Sequence, residues 1–281
     1  MRMDEKETLC ESKHSQFTWF LLAFLVGLGL RLWRLGEMRF TLAEAQIAQS
    51  AWQMASGNAA GMPDNMSYAG LSALLFHLFE PSFFFARLLP VLFGNSLILV
   101  PWFWRKELGE KIALVLAFGL AIDPILLSFS RQIVTPIFVL VGLAWAVTAL
   151  KNKRPVLAGS LLALAFLGGY SFWVVALIGL AVFLIWSKRA NFEFIDATYK
   201  TKSFLLPLLT SFILSLAVIS SVFLLSSEGL GGIGAGLVEL FQLFSRNYEF
   251  AAYQPILVAI AYSLLPLFFA IWALAEDFRN H

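Results

Sequence analysis

The sequence predicts an all-α protein that is built into a membrane, and three observations support this. Hydrophobic residues make up 59% of the 281 residues, whereas charged residues make up only 14%. A soluble domain has roughly 45–50% apolar and about 25% charged residues. A chain of this size cannot bury so many apolar side chains away from water. The apolar residues also fall into runs close to the length that a membrane-spanning helix needs, about 20 residues.

We expect about eight transmembrane helices. The first apolar run lacks the small-residue cleavage site of a signal peptide, so it is predicted to remain as a span. A turn at Gly168 and Gly169 is expected to separate two short spans that follow Pro155. The predicted spans are 17–35, 83–104, 112–129, 133–150, 155–169, 171–186, 203–226 and 254–275.

The distribution of basic residues predicts the orientation in the membrane. With the N-terminus in the cytoplasm, 14 of the 20 lysines and arginines lie in cytoplasmic segments, as the positive-inside rule requires. The prediction is a cytoplasmic tail (1–16), a single transmembrane domain (17–275) and a cytoplasmic C-terminus (276–281). Two long loops, 36–82 and 227–253, are then on the outer side. The sequence thus predicts a multi-pass protein of the cell membrane with both termini cytoplasmic.

The first outer loop is predicted to contain two juxtamembrane helices. Thr41-Leu-Ala-Glu44 has the spacing of a capping box, and Gly57 is suited to end the helix that it opens. The apolar run from Tyr68 to Phe79 is too short to span the membrane, so it is predicted to be an interfacial helix on the outer leaflet. A similar short helix is predicted at 237–244 in the second outer loop.

Three stretches of the sequence carry a family resemblance. These are Ala43-Glu44-Ala45 followed by Gly57, the Ala-Arg-Leu-Leu-Pro run that begins at Ala86, and Leu127-Ser-Phe-Ser-Arg131. In this order, with one span before a long outer loop, they resemble the GT-C membrane glycosyltransferases. That family includes aminoarabinose transferases and protein mannosyltransferases, which take a sugar from a polyprenyl phosphate at the outer face.

The resemblance implies a GT-C-like fold and a glycosyltransferase activity. The enzyme would transfer a sugar from a polyprenyl-phosphate donor to an acceptor at the outer face. Such a reaction needs a carboxylate base and cations that stabilise the leaving phosphate. Glu44 is the candidate base, with Asp64 as a second carboxylate, and Arg131 and Arg87 are the candidate phosphate-binding residues. However, Ala43 occupies the position of the family's catalytic aspartate.

Two other functions remain open, and the alanine at position 43 favours the first of them. The chain could be a catalytically degenerate GT-C-like protein, retained as a structural or lipid-binding subunit of a membrane complex. Its partners would then be polyprenyl phosphate or other lipids, together with other membrane subunits. A small-solute transporter is a third alternative, although the sequence contains neither inverted repeats nor a set of midplane acids.

Both candidate carboxylates also have a structural interpretation. As the fourth residue of a capping box, Glu44 would accept a hydrogen bond from the backbone of Thr41. Asp64 follows a proline and precedes an asparagine, which is an ordinary turn sequence. A role in helix capping is therefore favoured over catalysis for Glu44.

The candidate cations are interpreted in the same way. Arg131, flanked by Ser128 and Ser130, is expected either to bind a phosphate or to extend towards lipid headgroups. Arg87 lies within an apolar run, where an unpaired charge is costly. It therefore requires a partner, and the candidates are Glu44, a lipid phosphate or another nearby acid, Glu80.

Asp123 lies within a predicted span, directly before Pro124. An acid at this depth is by default a candidate functional residue, but a local cap at the proline break is favoured. With a single cysteine and three histidines, the chain has no zinc or haem motif, and we expect no metal and no cofactor. The scattered basic residues do not predict nucleic-acid binding.

Overall fold

A computed structural model describes residues 2–57, 66–169, 171–177, 201–221 and 238. All of them belong to one compact unit, Met1–Phe241. Their regular structure is entirely helical, with no strand in these ranges, which confirms the all-α prediction. The helices are α1 (Arg2–Leu32), α2 (Leu42–Ala55), α3 (Met66–Leu78), α4 (Phe83–Ser96), α5 (Val100–Phe103), α6 (Arg105–Leu108), α7 (Glu110–Ile122), α8 (Pro124–Ser130), α9 (Thr135–Lys151), α10 (Pro155–Phe166), α11 (Ser171–Leu177) and α12 (Lys202–Ser220), with a 3-10 turn at Leu97–Leu99.

Two helical stretches are long and apolar enough to cross a membrane, Phe83–Phe103 and Lys202–Ser220. Two bent pairs also qualify if each pair counts as one span, α7 with α8 at 54° and α10 with α11 at 117°. Three further apolar helices are shorter, among them α3 and α9. The described part of the chain thus contains two to four candidate spans, and these apolar helices indicate a membrane protein.

Several of the eight predicted spans overlap described helices, although only two to four of the described stretches have the length and composition of a span. Residues 17–32 of the predicted span 17–35 lie in α1, which begins at Arg2 and so also includes the predicted tail. The predicted span 112–129 is broken after Ile122, because Pro124 cannot continue the ladder. Gly169 has φ +63° between α10 and α11, at the predicted turn. The predicted helix 237–244, apart from residue 238, and the predicted span 254–275 lie outside the described residues.

Small residues let α10 approach its neighbours closely. A Cβ atom added to Gly159 would lie 2.2 Å from the Leu208 carbonyl oxygen of α12. One added to Gly142 of α9 would lie 2.9 Å from the Leu161 carbonyl oxygen of α10. Close approach at small residues is typical of helix packing in membranes. The three helices α9, α10 and α12 therefore form one closely packed layer.

The main core cluster joins α2, α3, α4 and α9. Tyr68 and Phe138 are fully buried there with their rings in an edge-to-face contact, and the Tyr68 hydroxyl donates to the Ala86 carbonyl at 3.0 Å. By contrast, α7 and α12 expose large apolar side chains on their outer faces, such as Val115 and Leu206. Apolar surface of this kind is suited to contact with lipid.

Candidate functional site

The capping box predicted at the start of α2 is present. The Glu44 amide donates to the Thr41 hydroxyl oxygen at 3.2 Å, and the Thr41 amide donates to the Glu44 carboxylate at 3.0 Å. At the other end, Ser56 is the C-cap and Gly57 has φ +71°. The helix predicted over 41–56 is therefore confirmed, as is the capping role of Glu44.

Arg87 finds its partner in Glu44. Its Nε and Nη2 groups donate to the two carboxylate oxygens at 3.1 and 3.0 Å, which is a bidentate pair. Both side chains are almost completely buried, at 1% and 3% exposure. Of the three partners expected from the sequence, the one that Arg87 binds is the acid of the capping box. The pair joins α4 to the start of α2.

The remaining donors of Arg87 bind the segment between α1 and α2. Nη1 donates to the carbonyls of Leu35 and Met38 at 3.4 and 2.7 Å, and Nη2 donates to the Arg39 carbonyl at 3.1 Å. The guanidinium also lies 4.9 Å from the centre of the Phe40 ring. A single buried arginine thus fixes the backbone conformation of the chain from residue 35 to residue 40.

Glu44 is saturated with hydrogen bonds as well. Besides Arg87 and Thr41, it accepts a hydrogen bond from the Ile133 amide at 3.2 Å, just before α9. Burial raises the pKa of Glu44, but the hydrogen bonds from Arg87, Thr41 and Ile133 outweigh this effect, so the pKa lies below its usual value. A carboxylate with occupied lone pairs and a lowered pKa is a poor general base. This geometry favours a structural role for Glu44.

Arg131 lies at the same end of the bundle, at the C-cap of α8. Its Nη2 group donates to the Trp33 carbonyl at 2.7 Å and lies 3.5 Å from the Met38 sulfur. Its Nε group is buried and has no hydrogen-bond partner among the described residues. Buried donors are nearly always satisfied. The guanidinium is therefore oriented by backbone contacts while part of its donor capacity is unused.

The two serines that flank this region differ from the expected polar pocket. Ser130 is fully buried, and its hydroxyl donates to the Leu127 carbonyl at 3.0 Å. Its Cβ would lie only 2.4 Å from a Cβ added to Gly94, so its role is close packing against α4. Ser128 is exposed and accepts a hydrogen bond from Gln132 at 3.4 Å. Neither serine hydroxyl accepts a hydrogen bond from the Arg131 guanidinium.

Another buried cation, Arg31, lies in the last turn of α1. It is fully buried and donates to the carbonyls of Leu120 and Ala121 at 3.1 and 3.2 Å, in the last turn of α7. The last carbonyls of a helix need donors from elsewhere. The break at Pro124, visible in the sequence, was the signal that such a donor is required.

Asp123 caps α8, the helix on the other side of the same break. Its carboxylate accepts a hydrogen bond from the Leu126 amide at 2.8 Å, so it is the N-cap of α8. The favoured interpretation, a cap at the proline, is confirmed. Asp64 lies outside the described residues. In the parts of the chain that are described, no group of three histidine, cysteine or acidic side chains could hold a metal ion.

Comparison with known protein families, with characterised proteins and with solved structures finds no match to this chain.

Proposed function

We propose that the chain is a multi-pass membrane protein that binds the phosphate of a lipid, of the polyprenyl-phosphate class, beside Arg131. The observation that carries this proposal is the state of the Arg131 guanidinium. It is oriented by the Trp33 carbonyl, yet its Nε donor has no partner among the described residues. Arg131 is partly exposed and is held by a backbone carbonyl, and a guanidinium in such a position with donor capacity left over is suited to pair with a phosphate.

The charges around Arg131 support an anionic ligand. The two nearby acids are already paired, Glu44 with Arg87 and Glu37 with Arg34. Arg39 follows Met38, the residue whose sulfur contacts Arg131, and has no ion-pair partner among the described residues. This corner of the molecule, formed by Trp33, Met38, Arg39 and Arg131, therefore carries a net positive charge once the two ion pairs are counted.

The same corner also presents an apolar surface. Trp33 is 71% exposed and Met38 is 44% exposed. An exposed tryptophan beside cations is typical of the membrane–water interface. A ligand that places a phosphate on Arg131 and an isoprenoid chain on Trp33 would satisfy both parts of the surface.

The hydrogen bonding of Glu44 favours lipid binding over sugar transfer. Transfer needs a carboxylate that can take a proton from the acceptor, whereas Glu44 is fully occupied by Arg87, Thr41 and Ile133. The alanine at position 43, where the GT-C family has its catalytic aspartate, also argues against sugar transfer. We therefore favour a GT-C-like protein without transfer activity, acting as a lipid-binding subunit that crosses the cell membrane about eight times, with both termini cytoplasmic. Glycosyltransferase activity stays a prediction that would need another carboxylate.

The test is a binding measurement on the purified full chain in mild detergent. We expect polyprenyl phosphate to bind more tightly than polyprenol, which has the same chain without the phosphate. Arg131→Gln should weaken phosphate-dependent binding roughly tenfold or more, because charge-assisted hydrogen bonds are lost. Lys111→Gln is the matched control, since Lys111 is an exposed cation on α7.

Two results would overturn the proposal. Equal binding of the phosphate and the alcohol would exclude a phosphate site. Turnover of a polyprenyl-phosphate sugar that is lost in Glu44→Gln would show instead that the chain is an active transferase using this acid as its base.

A further inference from the structure

A cleft of about 590 Å³ lies between α4, α5, α9 and α10. Aromatic and aliphatic side chains form most of its wall, including Phe93, Phe103, Trp145 and Leu161. It lies beside the last turns of α9, whereas Arg131 precedes the first turn. At a rise of about 1.5 Å per residue, the length of α9 places the end of the cleft at Arg154 roughly 25 Å along the helix axis from the Arg131 end, and neither Arg131, Trp33 nor Met38 lines the cleft. The cleft is therefore distinct from the proposed phosphate site.

The polar groups in the cleft wall are already engaged. The Trp145 indole donates to the Ser96 hydroxyl oxygen at 3.1 Å, and that hydroxyl donates to the Phe93 carbonyl at 2.6 Å. The Thr148 hydroxyl accepts from Trp104 at 3.0 Å and donates to the carbonyl one turn earlier. An occupant would meet an apolar wall, which favours a hydrocarbon chain over a polar solute.

A cation stands at the mouth of the cleft. Arg154 lines it, is exposed, and its side chain has no hydrogen-bond or ion-pair partner among the described residues. Its amide donates to the Ala149 carbonyl at 2.9 Å, which fixes its position after α9. The neighbouring Lys151 is already paired with Glu107. Among the described residues that line the cleft, Arg154 is therefore the cation available to meet an anion.

We propose that this cleft binds one anionic phospholipid, with an acyl chain against its apolar wall and the headgroup phosphate on Arg154. Charge complementarity selects this occupant, because a hydrocarbon chain and a negative headgroup match the two parts of the cleft. Leu157 and Phe103, both in the wall, are about half exposed, so the cleft opens sideways towards the bilayer. The basic residues from 151 to 154 lie at the predicted cytoplasmic end, where anionic lipids are enriched.

Native mass spectrometry of the full chain, released from mild detergent, tests this site. The probes are phosphatidylglycerol, which is anionic, and phosphatidylcholine with the same acyl chains, which has no net charge. We expect one phosphatidylglycerol to be retained in preference to phosphatidylcholine. Arg154→Gln should reduce this preference about fivefold, as one basic contact to an anionic headgroup is lost. Lys111→Gln should leave it unchanged.

A second variant tests the cleft itself. Leu157→Trp adds volume at an exposed position of the wall and should reduce retention of both lipids, while circular dichroism shows that the helices are kept. Equal retention of the two lipids by the wild type would overturn the proposal, as would an unchanged preference in Arg154→Gln. A dimer that Leu157→Trp dissociates would show that a second copy of the chain occupies the cleft instead.

Discussion

At the scale of single residues, the buried Glu44–Arg87 pair has hydrogen-bond partners in several separate segments. The Arg87 guanidinium donates to a carboxylate and to three backbone carbonyls, and the Glu44 carboxylate accepts hydrogen bonds from three separate segments of the chain. Buried charges are tolerated when each lone pair and proton is satisfied in this way. The pair therefore holds α2, α4 and the start of α9 together, at the same end of the bundle as the partly exposed Arg131.

Breaking this pair should destabilise the protein strongly. Arg87→Leu leaves the Glu44 carboxylate buried without its cation, and we expect a loss of about 3–5 kcal/mol. The matched control is Arg34→Gln, because Arg34 forms an exposed pair with Glu37 and such pairs contribute about 0–1 kcal/mol. Thermal unfolding in detergent measures both. Similar midpoints for the two variants would contradict the structural role.

The pH dependence follows from the lowered pKa of Glu44. Because the pKa is lower in the folded state, the carboxylate contributes stability that is fully present above the unfolded value of about 4.3. This contribution is lost as the pH falls through the folded-state pKa. Unfolding midpoints measured between about pH 7 and pH 3 should therefore decrease on the acid side in the wild type. Glu44→Gln should show a smaller decrease over the same interval, and equal slopes would refute this assignment.

At the scale of helices, the broken span formed by α7 and α8 shows how a proline is accommodated among apolar helices. Pro124 interrupts the ladder, Asp123 caps the new N-terminus, and Arg31 supplies donors to the carbonyls that α7 leaves at its end. Re-satisfaction of freed backbone groups by neighbouring side chains is how membrane helices tolerate proline. The bend of 54° at this point sets the direction of α8, at whose C-terminal end Arg131 lies.

Helix packing at Gly159 gives the third prediction. Gly159→Ala would place a Cβ 2.2 Å from the Leu208 carbonyl oxygen, so α10 and α12 must move apart. Overpacking of this kind costs about 1–3 kcal/mol. Gly119→Ala in α7 is the control, because nothing lies within 4 Å of the added atom, and we expect stabilisation of about 0.5–1 kcal/mol. Unfolding in detergent distinguishes them, and a neutral Gly159→Ala would contradict the close approach.

At the scale of the whole molecule, the sequence predicted features that depend on near neighbours. The capping box follows from Thr41 and Glu44, three positions apart, and the cap at Asp123 follows from the adjacent Pro124, so local sequence was sufficient. The need of Arg87 for a partner followed from its apolar surroundings, but its choice of Glu44 depends on tertiary packing. The partners of Arg31 are about 90 residues away, and no local pattern indicates them. The orienting contact of Arg131 with Trp33 was unpredictable for the same reason.

The orientation of α9 gives the last prediction, because both proposed lipid sites depend on it. α9 has 17 residues and is therefore about 25 Å long, and it corresponds to the predicted span 133–150, so the predicted topology places Arg131 on the outer side and Arg154 on the cytoplasmic side. In a background in which the single cysteine is removed by Cys10→Ser, Met38→Cys should react with a membrane-impermeant maleimide in intact cells. Lys106→Cys, at the predicted cytoplasmic side, should react only after permeabilisation. Met38 and Lys106 are both exposed, so a difference in labelling reports the side of the membrane. Reaction of both from the same side would exclude the predicted topology and place the two proposed sites in one leaflet.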